Sequence, residues 1–179
     1  MEISFKGFHK GLICINKKYV PYEWNEEDKA TVYGNAHCGM FSAPNPLDVF
    51  SYYSGFEHNE FWLCLIDGDL DEDGVGSRVA TTRLKPVKRL NKLEYAIQSG
   101  KYLMEHPWVE HNMVFKDTFY PTYHYSEFVI VRGKAPKARA DQGTIVVLLK
   151  EAEDSNKIIS MSAYEVDGEK YKPDLTYTI

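Results

Sequence analysis

Apolar residues in this chain fall in short runs broken by Gly, Pro, Asn and Asp, the spacing of strands and turns rather than of long helices. Ile3 to Phe8 predicts a first strand, with β-branched and aromatic residues around a glycine. Leu12 to Asn16 predicts a second short strand, and Lys18 to Trp24 an extended stretch with Pro21 marking an edge. Asn25 to Asp28 reads as a turn and Lys29 to Tyr33 as another strand. Glu60 to Asp67 is a near-continuous apolar run, the pattern of a strand buried on both faces. Arg78 to Leu84 predicts a strand that Pro86 ends. Glu127 to Arg132, Gly143 to Lys150 and Ile158 to Val166 predict three more strands. Asp167-Gly168 gives a hairpin signal before Lys170 to Lys172, and Thr176 to Ile179 forms a closing edge segment.

Two segments carry helical signals. Asn45 suits an N-cap, Pro46 the first helical position and Asp48 the first turn, where the helix dipole favours an acid. Leu47, Phe50 and Tyr53 then share a face, and the helix stops before Gly55. Leu90 to Tyr102 predicts a second helix with Leu93, Ile97 and Tyr102 on its apolar face. His106 to Tyr125 is aromatic-rich and irregular, interrupted by Pro107 and Pro121. The expected fold class is α+β, a mixed and mostly antiparallel sheet with two short-to-medium helices and a C-terminal β-rich cap. The expected organisation is an N-terminal α+β unit at 1–95, an irregular connector at 96–126 and a C-terminal β unit at 127–179.

Composition adds bounds. The chain has 179 residues, 44% of them hydrophobic, enough for a packed core and too apolar for disorder. Thirteen Tyr and three Trp suit half-buried sheets and also binding surfaces. A net charge of −5 argues against a dedicated nucleic-acid binder. The charge is uneven: Asp67, Asp69, Asp71, Glu72 and Asp73 form an acidic run, and Arg132, Lys134, Lys137 and Arg139 a basic cluster. Such a bipolar surface suits docking on a charged partner. Cys14, Cys38 and Cys64 have neither disulfide nor metal spacing. The opening lacks a signal-peptide pattern, and no apolar run approaches the ~20 residues of a membrane span, so the expectation is a cytoplasmic protein without a membrane partner.

No motif names a reaction. Asp69 to Gly74 fits the first six positions of an EF-hand loop, but the twelfth is Ala80 where a bidentate Glu is needed, so the run reads as a solvated turn. His106 and His111, with Glu105 and Glu110 nearby, stand five apart with Pro107 between them and do not share a helix face. Cys38 beside His37 would point to the opposite side of a strand. Gly34 and Gly39 match no phosphate loop. Val131 to Arg139 is a basic, turn-rich segment able to touch phosphates as point charges but lacking aromatics for base stacking. No catalytic residue, metal site or cofactor is assigned.

Two blocks carry a family resemblance. Lys6-Gly7-Phe8, Cys14 and Asn45-Pro46-Leu47-Asp48-Val49-Phe50-Ser51-Tyr52-Tyr53 lie in the first half; Gly133-Lys134, Lys137-Ala138-Arg139, Gly143 to Leu148 and Val166 to Thr178 lie in the second. Together they resemble a family of uncharacterised phage and prophage proteins. Gly39-Met40-Phe41-Ser42-Ala43 departs from the Gly-x-His-Ala pattern of that family, so any role of its histidine is lost. The glycine-rich repeats that relatives often carry are missing, and residues 96–126 have no counterpart. The resemblance implies a phage or mobile-element origin. A weaker likeness links the early strand and the helix after it to ADP-ribosyltransferase-like folds, with Lys6 or His9 on the strand and Glu60 as the acid. That triad does not match cleanly.

The leading expectation is therefore a non-enzymatic phage or mobile-element accessory protein, an anti-defence inhibitor of the anti-CRISPR type. It would bind a host protein or ribonucleoprotein, with direct nucleic-acid contact secondary. The expected contacts are Asp69, Asp71 and Asp73 in the acidic run, Trp108, Phe119, Tyr120 and Tyr123 in the aromatic stretch, and Arg132, Lys134, Lys137 and Arg139 in the basic cluster. The alternative is a nucleotide- or RNA-directed enzyme, by ADP-ribosyl transfer or RNA processing. It requires Lys6, His9, Tyr52 and Glu60 to converge on one pocket.

Overall fold

A computed structural model describes residues 1–32, 38–72, 74, 76–121 and 127–179. Its fold is α+β, as the pattern predicts, and it divides into two compact units, Met1–Asn91 and Lys92–Ile179. The second helix thus belongs to the C-terminal unit, and most of the stretch expected to be an irregular connector is helix and strand.

The first unit is built on β1 (Glu2–His9), β2 (Ile13–Cys14), β3 (Lys17–Lys18), β4 (Asn25–Glu26), β5 (Met40–Ser42), α1 (Pro46–Tyr52), β6 (Asn59–Glu72) and β7 (Val79–Leu90). The sheet runs β3-β2-β1-β6-β7-β4, and β5 also pairs with β7; every pairing is antiparallel. Phe8, Tyr19, Met40, Trp62, Cys64, Ile66 and Leu84 form its core, the large side chains that make β1 and β6 the strongest strand signals. Pro86 does not end β7. A bulge at Leu63/Cys64 sets Pro86 opposite Cys64, and its carbonyl accepts from the Tyr22 N–H at 2.8 Å, so the ladder passes the missing donor. Of the strand expected at Lys29 to Tyr33, the described residues show an isolated bridge, Thr31 to Cys38, and Tyr33 lies outside them. Helix α1 forms as its sequence dictates: the Asn45 side chain accepts from the Leu47 N–H at 3.1 Å, and Pro46 opens the first turn. Asp48 Oδ2 accepts from the Ser77 N–H (2.8 Å) and hydroxyl (2.7 Å), tying the helix to the segment before β7.

The second unit comprises α2 (Lys92–Glu105), β8 (Val114–Phe119), β9 (Phe128–Ala138), β10 (Ile145–Glu151), β11 (Ile158–Glu165) and β12 (Tyr177–Thr178). Its sheet runs β11-β10-β9-β12, with β8 parallel to β9 and β9 parallel to β10. Val129, Val131, Val146, Leu148 and Tyr164 fill one side. Helix α2 covers strands β9, β10 and β11. Its buried face is Tyr95, Ala96, Ser99, Gly100 and Leu103, not the expected Leu93, Ile97 and Tyr102. The helix packs close through its small residues: a Cβ on Gly100 would lie 2.6 Å from Met161 Sδ and 3.1 Å from Val147. Asp167-Gly168 makes a turn but no hairpin. Asp167 Oδ1 accepts the N–H groups of Glu169 (2.8 Å) and Tyr171 (2.9 Å), and the chain returns as β12 against β9. Tyr164, Tyr171 and Tyr177 stack above this turn, 4.1 to 5.4 Å between centroids.

Candidate functional site

In the first unit, the edge of β1 is paired at both ends, and among the described residues no strand pairs with it between them. Phe5 exchanges two backbone bonds with Ala43 (2.8 and 2.9 Å), and His9 pairs with Ile13. The alternation of an antiparallel ladder sets the N–H and C=O of Gly7 on that same edge. Tyr53, just after α1, lies across Gly7, and a Cβ there would fall 2.4 Å from its ring. Only glycine leaves that space. The Tyr53 hydroxyl and the Cys14 thiol share a hydrogen bond at 2.9 Å.

Ser4, Lys6 and Phe8 point to the inner face of β1, and all three are buried. Lys6 Nζ donates to the Phe41 carbonyl at 2.6 Å and to Cys14 Sγ at 3.5 Å, and lies 5.3 Å from the ring centroids of Phe8 and Tyr19. Burial holds the Lys6 amine below the usual lysine range, an effect opposed by Cys14 and Cys64 and reinforced by Lys17. Burial also pushes the Tyr53 phenol up, and the Cys64 thiol up to about 12.

These groups border a cavity of about 420 Å³. Its polar lining is Lys6, His9, Cys14, Ser42, Tyr52, Tyr53 and Arg78; Phe5, Ile15, Phe41 and Val49 supply apolar walls. Among the described residues no carboxylate lines it. Arg78 stacks over Phe41, 5.6 Å from the ring centroid. Lys6, His9 and Tyr52 therefore meet at one cavity, as the enzyme reading requires. Glu60 does not. Its carboxylate accepts from the Gly11 N–H (2.7 Å) and Trp62 Nε1 (3.3 Å) and lies 3.5 Å from Arg89 Nε.

The surface residues expected to touch a partner are distributed over both units. Asp69 and Asp71 lie in β6, not in a loop, which rules out an EF-hand geometry. The Asp69 N–H donates to Thr82 Oγ1 at 2.9 Å, and Asp71 Oδ2 accepts from the Val32 N–H at 2.8 Å. Asp73 and Tyr123 lie outside the described residues.

In the second unit the expected contacts concentrate on the β8–β9 pair and its flanking loops. A groove of about 550 Å³ there is bordered by Trp108, His111, Lys116, Asp117, Arg132 and Glu151. Trp108 is 71% exposed, with the His106 ring edge-on at 5.4 Å. Arg132 does not serve as the surface contact expected. It is buried, its Nε pairs with Glu151 at 2.6 Å, and its other nitrogens hold the carbonyls of Pro107 (2.9 Å), Val109 (3.4 Å) and Asn156 (3.2 Å). It thus pins the loop that presents Trp108. Phe119 is half-buried against the core. Tyr120 is exposed, with Arg139 5.6 Å from its ring centroid. Lys134 and Lys137 are exposed on β9, which runs on to Ala138 where a turn was expected; Lys134 also donates to the Glu153 carbonyl.

His106 Nδ1 bonds the Tyr102 carbonyl in the last turn of α2, and His111 Nδ1 accepts from the Met113 N–H. Among the described residues no group of three His, Cys, Asp or Glu side chains gathers as a metal requires, and no helix is long and apolar enough to cross a membrane. His37, beside Cys38, lies outside the described residues.

Sequence reasoning found Lys6, His9 and Tyr52 but not Cys14, Ser42, Tyr53 or Arg78 as their neighbours. The available signal was a lysine at an inward position of an apolar strand, since a charge there needs polar company.

The fold and its cavity define an α+β protein whose first unit carries a pocket with no carboxylate in its lining among the described residues. A family model described as a domain of unknown function, DUF7666, matches residues 2–98, just over half of the chain and all but the first residue of that unit. The chain belongs to the DUF7666 family. No curated protein and no solved structure matches it.

Proposed function

We propose that this is a phage or mobile-element accessory protein that acts by binding, its partner a host defence protein or ribonucleoprotein, in the manner of anti-CRISPR inhibitors. The observation that supports the reading is the exposed indole of Trp108 beside the groove of the second unit, on a loop held by the buried Arg132. Tryptophan and arginine dominate binding energy at interfaces, and a preordered loop loses little entropy on docking. Lys134, Lys137, Arg139 and Tyr120 extend the same strand pair and suit an acidic partner, protein or ribonucleoprotein. The protein works in the host cytoplasm. The test is retention of a host component by the tagged protein, with and without nuclease, compared with a Trp108→Ala/Tyr120→Ala double variant.

A nucleotide- or RNA-directed enzyme is the second reading. The meeting of Lys6, His9 and Tyr52 at one cavity favours it. The position of Glu60 opposes it, because transfer chemistry needs an acid at the reacting centre and this carboxylate is committed to Gly11, Trp62 and Arg89. Incubation with labelled NAD or RNA decides: modified product favours the enzyme, and unchanged label favours binding.

A further inference from the structure

We infer that the cavity of the first unit is a covalent capture site, in which the Cys14 thiol takes a small α,β-unsaturated carbonyl compound with an apolar or aromatic body. This chemistry is independent of both readings above.

Cys14 is half-buried and lines the cavity. Two polar groups converge on its sulfur: Lys6 Nζ donates to Sγ at 3.5 Å, and the Tyr53 hydroxyl shares a hydrogen bond with it at 2.9 Å. An amine and a phenol around a partly exposed sulfur are the surroundings of a nucleophilic thiol. The other two cysteines differ. Cys64 is buried in the core with its thiol pushed up to about 12, and Cys38 sits in the bridge to Thr31.

The hydroxyl of Ser42 is a second, independent sign. Ser42 is 5% exposed, lines the same cavity, and its oxygen has no hydrogen-bond partner among the described residues. Buried hydroxyls are normally satisfied, so this one is a donor awaiting an acceptor. Lys6 joins the two ends of the site, because its Nζ also donates at 2.6 Å to the carbonyl of Phe41, the residue before Ser42. A ligand with an electrophilic carbon for Cys14 and an oxygen for Ser42 suits both, and a conjugated carbonyl has them. Phe5, Ile15, Phe41 and Val49 give its body apolar walls, and the volume of about 420 Å³ falls within the range of small-molecule sites.

The step is a redox-neutral addition. The Cys14 sulfur bonds to the β-carbon of the ligand while the π pair of the C=C bond shifts to the α-carbon. Ser42 donates to the oxygen on which charge develops. The proton of the thiol ends on the α-carbon, so S–H has added across the double bond.

Peptide-mapping mass spectrometry on the full chain tests this, with benzylideneacetone as the electrophile and its saturated analogue benzylacetone as a competitor. One adduct of the whole reagent forms on Cys14, its rate saturates with concentration, and benzylacetone slows it. Ser42→Ala slows the addition by about tenfold or more. The same variant is labelled at Cys14 by methyl methanethiosulfonate, which has no carbonyl, as fast as the parent. Lys6→Met slows both reagents; should it fail to fold by circular dichroism, the Ser42 variant carries the test. Absence of an adduct, a rate that does not saturate, or faster modification of Cys38 overturns the proposal. So does an unchanged rate in folded Ser42→Ala, or equal slowing of both reagents by it.

Discussion

At the scale of single residues, the strongest constraint in the first unit is the missing side chain of Gly7. Tyr53 occupies the space a Cβ would need. Gly7→Val is expected to displace Tyr53, break its bond to Cys14 and cost about 1–3 kcal/mol, as overpacking does. A urea titration unchanged from the parent would contradict this. In the second unit, Arg132 and Glu151 form a largely buried pair, with 7% and 15% of their side chains exposed. Removing one partner strands the other charge, so Arg132→Met should cost about 3–5 kcal/mol and loosen the Trp108 loop. A loss below about 1 kcal/mol in the same titration would show that the pair is dispensable. Asp167 offers a pH test. The N–H groups of Tyr171 and Glu169 hold its carboxyl below the usual range. Its folded value is depressed, so its contribution is full above the unfolded value of about 3.9 and is lost as pH falls through the folded one. The stability gap between parent and Asp167→Ala should therefore be present at neutral pH and shrink in acid. A pH-independent gap would refute the assignment.

At the scale of elements, legibility in the sequence followed locality. Helix α1 was readable because Asn45, Pro46 and Asp48 act within one turn. Asn45→Ala is expected to cost about 1 kcal/mol, measured by thermal denaturation; no loss would mean the cap is idle. The strands β1, β6, β10 and β11 were readable from apolar runs for the same local reason. Three features were not. Pro86 signals a stop, but a bulge in its pairing with β6 at Leu63/Cys64 lets β7 continue, and that pairing is tertiary. The face of α2 depends on Gly100 meeting Met161 and Val147, contacts that exist only once the sheet has formed. The continuation of β9 through Lys134 and Lys137 needs β8 and β12 beside it, and a Gly-Lys-Ala-Pro run by itself reads as a turn. The candidate cavity shows the same split. Lys6, His9 and Tyr52 were nameable as polar groups near strong elements; their meeting with Cys14, Ser42 and Arg78 is tertiary.

At the scale of the whole molecule, the two units differ in what they offer. The first, which the family match spans, holds a hydrophobic core and the cavity bordered by Lys6, His9 and Tyr52. The second holds its own core, the exposed Trp108 and the basic strand pair. Each therefore has the interior a domain needs, and fragments 1–91 and 92–179 should each unfold cooperatively in denaturant. A fragment without a folding transition would show that its core depends on the other. The central claim, action by binding a host component, is tested most directly by affinity capture from a lysate of defence-competent bacteria, with and without nuclease. The account expects one stoichiometric host protein or ribonucleoprotein, retained by the parent chain and lost by Trp108→Ala/Tyr120→Ala. Capture of nothing, with labelled NAD or RNA consumed instead, or a partner held equally by the double variant, would contradict it.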